Sequence, residues 1–130
     1  MLSKQELDAA LAAERAMYRA LSEVQDITRE LLDAVDRQDQ VSVRLFLSMR
    51  QEQINQLRDQ KELLKKQCGG LPKEEGDLLL QILSGKKPAG VEGEALSLQV
   101  ERNRALLERT LQADKALSRR LAGRESFYQS

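Results

Sequence analysis

Reactive chemistry has little to work with in this chain. It holds no histidine, which removes the commonest general base and metal ligand at neutral pH. Carboxylates are plentiful, but they lie scattered along helical faces among Lys and Arg rather than in pairs. No glycine-rich turn follows a strand pattern to cradle phosphate, and no serine sits in a nucleophile elbow. Cys68 is the single cysteine. It cannot staple the fold, it belongs to no CxxC motif, and beside Gly69 and Gly70 it reads as incidental rather than as a redox thiol. At 3% of the residues, aromatics are too few to build a stacking pocket. These residue types point to a protein that holds something rather than transforms it: not an enzyme, with no catalytic residue, cofactor or metal expected.

The residues that can bind lie between Leu96 and Leu121. Projected at about 100° per residue, Leu106, Leu117, Leu121, Leu107, Val100 and Leu111 spread over an arc of about 140°, wider than the roughly 100° stripe of an ordinary surface helix. The arc is split by Asn103, Thr110 and Asp114 near its middle. Leu106 and Leu117 lie on one side, and Val100, Leu107 and Leu111 on the other. Two readings are open. Either one margin faces the helix's own bundle and the other a second chain, or the helix is wedged in the core between two helices of its own chain. On the first reading the Leu106 and Leu117 margin is left partly exposed and receives an amphipathic helix from another protein. The candidate partner-binding residues are then Leu106, Leu117 and Leu121, with Phe127 and Tyr128 beyond them. The two aromatics can dock back over the margin, bind a partner, or dangle as a disordered terminus.

Three further elements must position this one. Ser3-Lys4-Gln5-Glu6 forms a capping box, and Leu7, Leu11, Met17, Leu21, Val24, Thr28, Leu31, Leu32 and Val35 follow at spacings of three and four. The first helix therefore runs about nine turns, to Asp36. Its stripe contains Glu14, where a charge is costly unless a partner meets it. The polar stretch 36–40 breaks the period, and Asp39 suits the N-cap of a second helix. That helix carries Val43, Phe46, Leu47, Ile54, Leu57, Leu63 and Leu64, with Arg50 and Lys61 intruding. Folding the pair back at Gln38 sets Glu14 opposite Lys61 and Arg50 opposite Asp26 and its neighbours. These charges are either register devices or side chains snorkelling to the rim. Cys68-Gly69-Gly70 ends the second helix, with a glycine for a left-handed cap. A short apolar helix through Leu78, Leu79, Leu80, Ile82 and Leu83 follows Pro72 and stops at Ser84-Gly85. The stretch of about 85–95 is a flexible connection, and the last long helix ends at Gly123, leaving the tail 124–130.

The fold expected is all-α: a long antiparallel helical hairpin plus a short apolar helix and a third long helix, forming an elongated three-helix bundle in a single domain, 1–130. Lys plus Arg equals Asp plus Glu at 21 each, so neither a nucleic-acid nor an anionic-membrane surface is advertised. No apolar run approaches a membrane span, and Met1 to Glu6 lacks a signal-peptide layout. The expectation is a soluble cytoplasmic protein, monomer or homodimer.

One resemblance spans nearly the whole chain. A long first helix with Glu30 precedes an acidic turn at Asp36 and Asp39. A leucine ladder runs through Val43, Leu47 and Arg50 to Ile54 and Leu57. An Asn-x-x-Leu-Leu of Asn103, Leu106 and Leu107 then leads into Leu117, Leu121, Gly123 and a terminal Tyr128. Together these resemble the FlgN-type flagellar secretion chaperones. The resemblance implies a cytoplasmic type III export chaperone that binds a C-terminal amphipathic segment of the hook–filament junction proteins FlgK and FlgL and delivers it to the export gate. The FliT-type chaperones of the filament cap are the nearest alternative in this class. From another class, the rival is a self-associating coiled-coil structural or adaptor protein.

The connection from Lys86 to Gly93 combines Gly, Pro and charge with nothing to bury, so limited proteolysis should nick there or in the tail first. First cuts inside the two long helices of the hairpin would contradict this domain plan.

Overall fold

The computed structural model describes residues 1–86 and 90–129, with side chains up to residue 123. Residues 87–89 of the Lys86–Gly93 connection and the Phe127 and Tyr128 side chains lie outside the described residues. Four helices and no strand are present among the described residues: α1 (Lys4–Asp36), α2 (Gln40–Gly69), α3 (Lys73–Leu83) and α4 (Glu94–Gln129). Among the described residues, no helix is long and apolar enough to cross a membrane.

Each boundary has a local cause. At the start of α1 the Glu6 amide donates to Ser3 Oγ at 3.1 Å and the Ser3 amide to Glu6 Oε2 at 2.8 Å, a closed capping box. At its end Gln38 takes the left-handed conformation, φ 60°. The Gln38 amide then reaches Val35 O at 3.1 Å and the Asp39 amide Ala34 O at 3.0 Å, which satisfies two carbonyls the helix would leave open. Asp39 next caps α2, accepting from the Ser42 amide at 3.1 Å and the Ser42 hydroxyl at 2.6 Å. The turn thus falls where the polar stretch sets it.

The glycines depart from expectation. Gly70 caps α2 with φ −85°, a right-handed conformation open to any residue. Among the described residues the left-handed glycines are Gly85, φ +76°, two residues past the end of α3, and Gly90, φ +77°. A tighter demand falls on Gly76, inside α3, where a Cβ would stand 2.5 Å from the Cys68 carbonyl oxygen. That close approach folds α3 back against the end of α2. The last helix also departs: it continues through Gly123 to Gln129, because one glycine costs only about 1 kcal/mol in a helix otherwise rich in helix formers.

The organising element is α1, not α4. Thirteen α1 residues are buried, from Leu7 to Val35, whereas α2 buries only Leu64 fully. Helices α2 and α4 both pack on α1, and their backbones do not pack on each other. Ala10, Ala13, Ala20 and Ala34 of α1 are buried, and small side chains there let both neighbours approach. One apolar cluster joins Leu7, Ala10, Ala13 and Met17 to Leu64, Leu79, Ile82, Leu96 and Val100. A second, at the hairpin end, joins Leu31, Val35 and Leu117, with Val43, Phe46 and Leu121 against them. The chain order of these contacts runs α4 parallel to α1 and antiparallel to α2, with α3 as the crossover.

The Gly76 site gives a clean test. Gly76→Ala should destabilise the fold by about 1–3 kcal/mol, the usual cost of forcing an atom into a filled site, read from urea or thermal melts. Unchanged stability would mean that α3 slides freely along the end of α2.

Candidate functional site

Of the polar residues that divide the apolar arc of α4, Asn103 and Thr110 are buried and Asp114 is half-buried. Asn103 is buried and donates through Nδ2 to the Glu14 backbone carbonyl at 2.8 Å and to Glu14 Oε2. Gln99 Nε2 in turn donates to Asn103 Oδ1 at 3.0 Å. Further along, Thr28 donates to Val24 O at 2.7 Å and accepts from Arg50 Nε at 3.0 Å. The Arg50 guanidinium then crosses to the Asp114 carboxylate of α4. Thr110 turns its hydroxyl back to Leu106 O at 2.8 Å. Among the described residues no buried side-chain nitrogen or oxygen lacks a partner.

Glu14 is 5% exposed, so it is a core carboxyl rather than a rim charge. Burial pushes it above its ordinary value of 4.5, while the hydrogen bond from Asn103 and then the charge of Lys61 pull it back. Lys61 lines the same cavity as Glu14, which agrees with the register set by a turn at Gln38. The direct partner, however, is Asn103. Arg50 likewise reaches Thr28, two residues from the expected Asp26, and then goes on to Asp114. Cys68 has its thiol pushed up by burial, away from the thiolate that redox chemistry needs.

Leu106 and Leu117 do not form the partly exposed margin expected of them. Leu106 and Leu117 are each 3% exposed and belong to the core, so the margin that carries them is no open surface. The cause is that α4 presents its polar centre to α1, which draws both flanking leucines inward. Leu121 is half-buried and packs beside Leu31, Val35 and Leu117.

The surface left over is on the opposite margin of α4. Because α2 and α4 flank α1 without packing on each other, a groove runs between them. It contains a cavity of about 110 Å³ floored by Glu14, Met17 and Leu21 of α1. Leu57 and Lys61 of α2 form one wall, Val100, Asn103, Arg104 and Leu107 of α4 the other, and Leu83 of α3 closes one end. At about 100° per residue, Ile54 falls on the groove flank of α2 and Leu111 on that of α4. Leu111 is 48% exposed and Ile54 and Leu107 are half-buried. At the far end Arg50 and Asp114 bridge the gap as a strut. The sequence contained the signal for this groove, since Val100, Leu107 and Leu111 form the second margin of the arc. What it lacked was the direction of α4.

No family model, no curated protein and no solved structure matches this chain. What stands is the class that geometry defines: an all-α bundle with a half-open apolar groove between two helices that share a third.

The Glu14 site carries a pH prediction. A folded-state value raised above the unfolded one gives a contribution that is complete below pH 4.5 and is lost as pH rises through the raised value. Glu14→Gln keeps an acceptor for Asn103 and removes the charge. The variant should therefore melt a few degrees above wild type at neutral pH, the scale of about 1 kcal/mol in a chain this size. The gap should close as pH falls towards 4.5. Asp39, whose carboxyl is held below 3.8 chiefly by Ser42 hydrogen bonds, has the opposite sign but is common to both proteins. A gap that does not vary with pH would contradict the assignment.

Proposed function

We propose that this chain is a cytoplasmic type III export chaperone of the FlgN type, which holds a C-terminal amphipathic helix of a FlgK- or FlgL-like junction protein and presents it to the export gate. The observation that carries this reading is the groove. Helices α2 and α4 sit on α1 without closing on each other, and Leu111, Leu107, Ile54 and Leu57 are left along the opening. An amphipathic helix laid there would complete the apolar contacts that the bundle leaves unfinished. The fixed floor supports binding by a preformed site, because every buried polar group beneath it is already satisfied and no core rearrangement is required.

A second reading is favoured by one observation. Val41, Leu45 and Met49 recur every four residues on the outer face of α2, away from α1, and are 79%, 56% and 40% exposed. A self-associating adaptor would use that strip for a second copy.

Calorimetric titration with a junction-protein C-terminal peptide tests the first reading. A one-to-one complex is expected. Leu111→Asp should weaken it at least about tenfold while shifting stability by no more than about 0.5 kcal/mol, as for other exposed positions. Leu117→Ala should instead cost about 2–5 kcal/mol of folding. Absence of binding, together with sedimentation as a dimer that Leu45→Asp dissociates, would favour the adaptor.

A further inference from the structure

The chain is neutral overall, yet the groove is bordered by cations. Lys61 and Arg104 line it directly, and at about 100° per residue Arg58 falls on the same flank of α2 as Lys61. All three are exposed. The cations in ion pairs among the described side chains are others: Arg37, Arg50, Lys65 and Arg120. Arg104 gives one hydrogen bond to the Ser84 carbonyl, which leaves most of its guanidinium donors for a ligand. Of the neighbouring carboxylates, exposed Glu94 and Glu101 lie beside Arg104 around an adjoining cavity and are not among the groove's lining residues. Glu62 holds Lys65 at 3.4 Å and Glu108 accepts from Gln112 at 3.4 Å. Glu14 forms the floor, held by Asn103, and shares its cavity with Lys61, whereas among the described residues Arg58 and Arg104 have no such carboxyl facing them in the groove. The opening also has a length. From the Arg50–Asp114 strut to Lys61, near Leu83, is eleven residues of α2, about 16 Å or three helical turns.

We propose that the groove selects an acidic amphipathic helix: about three turns, with apolar anchors against Leu57, Leu107 and Leu111 and Asp or Glu on its flanks facing Arg58, Lys61 and Arg104. This rests on the reading of the groove as a partner-binding site. Charge fixes which helices enter and how they are oriented, while the leucines supply the apolar contact. Basic amphipathic helices, equally able to fill the apolar floor, are turned away by like charge on both rims.

The test uses the full chain and two synthetic helical peptides of about 14 residues. They share one leucine face, and one carries Glu flanks, the other Lys flanks. Calorimetric titration should give the Glu peptide at least about a tenfold tighter complex, an advantage that shrinks at about 1 M salt, where the screening length is about 3 Å. Arg58→Glu with Lys61→Glu should reverse the preference, and Leu111→Asp should weaken both complexes. Both double and single variants are checked by thermal melt, and their exposed positions should leave melting close to wild type. Equal binding of the two peptides overturns the charge selection and leaves the groove reading standing. Binding of neither overturns both. Tight binding of the Glu peptide that Leu111→Asp does not weaken also overturns the proposal, since the peptide then sits elsewhere. So does a dimer that Leu111→Asp dissociates, since a second copy then fills the groove.

Discussion

A carboxylate in the middle of a helical bundle has to be met, and Glu14 is met by Asn103. That contact ties α1 to α4 at one height, and the Asp36–Arg120 pair at 2.7 Å ties them again near the hairpin end. Between the two ties α4 can neither slide nor rotate by a residue without leaving a buried polar group unpaired, a cost of about 1–3 kcal/mol. Leucine on leucine would tolerate such a slip far more readily. The polar centre of α4 therefore sets the register, and the leucines on either side follow. Leu106 and Leu117 are drawn inward, while Leu107 and Leu111 are left facing α2 across an opening.

The opening exists because α1 is apolar over so much of its circumference. A helix with an ordinary stripe would bring its two neighbours together, and the three would close. Here α1 separates them, and among the described side chains Arg50 forms the polar bridge from α2 to α4, using Thr28 as a rest on the way. A long guanidinium side chain suits that span: it is planar, always charged, and able to serve a hydroxyl and a carboxylate at once. The structure thus trades direct packing of α2 on α4 for a polar brace and a half-open channel.

Much of this was legible in the residues. The capping box at Ser3 and Glu6, the N-cap at Asp39, and the turn at Gln38 were all written locally, and local chemistry delivered them. Glu14, Arg50, Lys61, Asn103 and Asp114 also stood out, because a charged or amide side chain on an apolar stripe is conspicuous. The nearness of Glu14 and Lys61 followed from the turn at Gln38, but the pairing of Glu14 with Asn103 and of Arg50 with Asp114 was not legible. It depends on α4 running parallel to α1, a consequence of the α3 crossover that no periodicity encodes. The same gap misassigned the apolar margins: the arc had two, and the helix direction decides which is core. The breadth of the α4 arc also drew attention from α1, whose apolar surface is diluted by alanine and so looks weaker than it packs. Gly76 escaped because a close approach between α2 and α3 is a property of the fold, whereas the glycine pair at 69–70 looked like a cap and serves as an ordinary one.

The placement of Glu14 has a consequence for the order in which the bundle comes apart. Helices α1 and α2 are joined by a tight turn, so their contacts are local and cheap to close. Helix α4 returns only after the crossover, and its loop is the costly one. When α4 lifts away, Glu14 and Asn103 regain water, so the open state recovers hydration that a wholly hydrocarbon seam would forgo. The hairpin keeps only the α1–α2 part of the two clusters, Leu64 at one end and Val43 and Phe46 at the other. Helix α4 is in this sense a separable leaf on a standing pair, and its release is eased most when Glu14 is ionised.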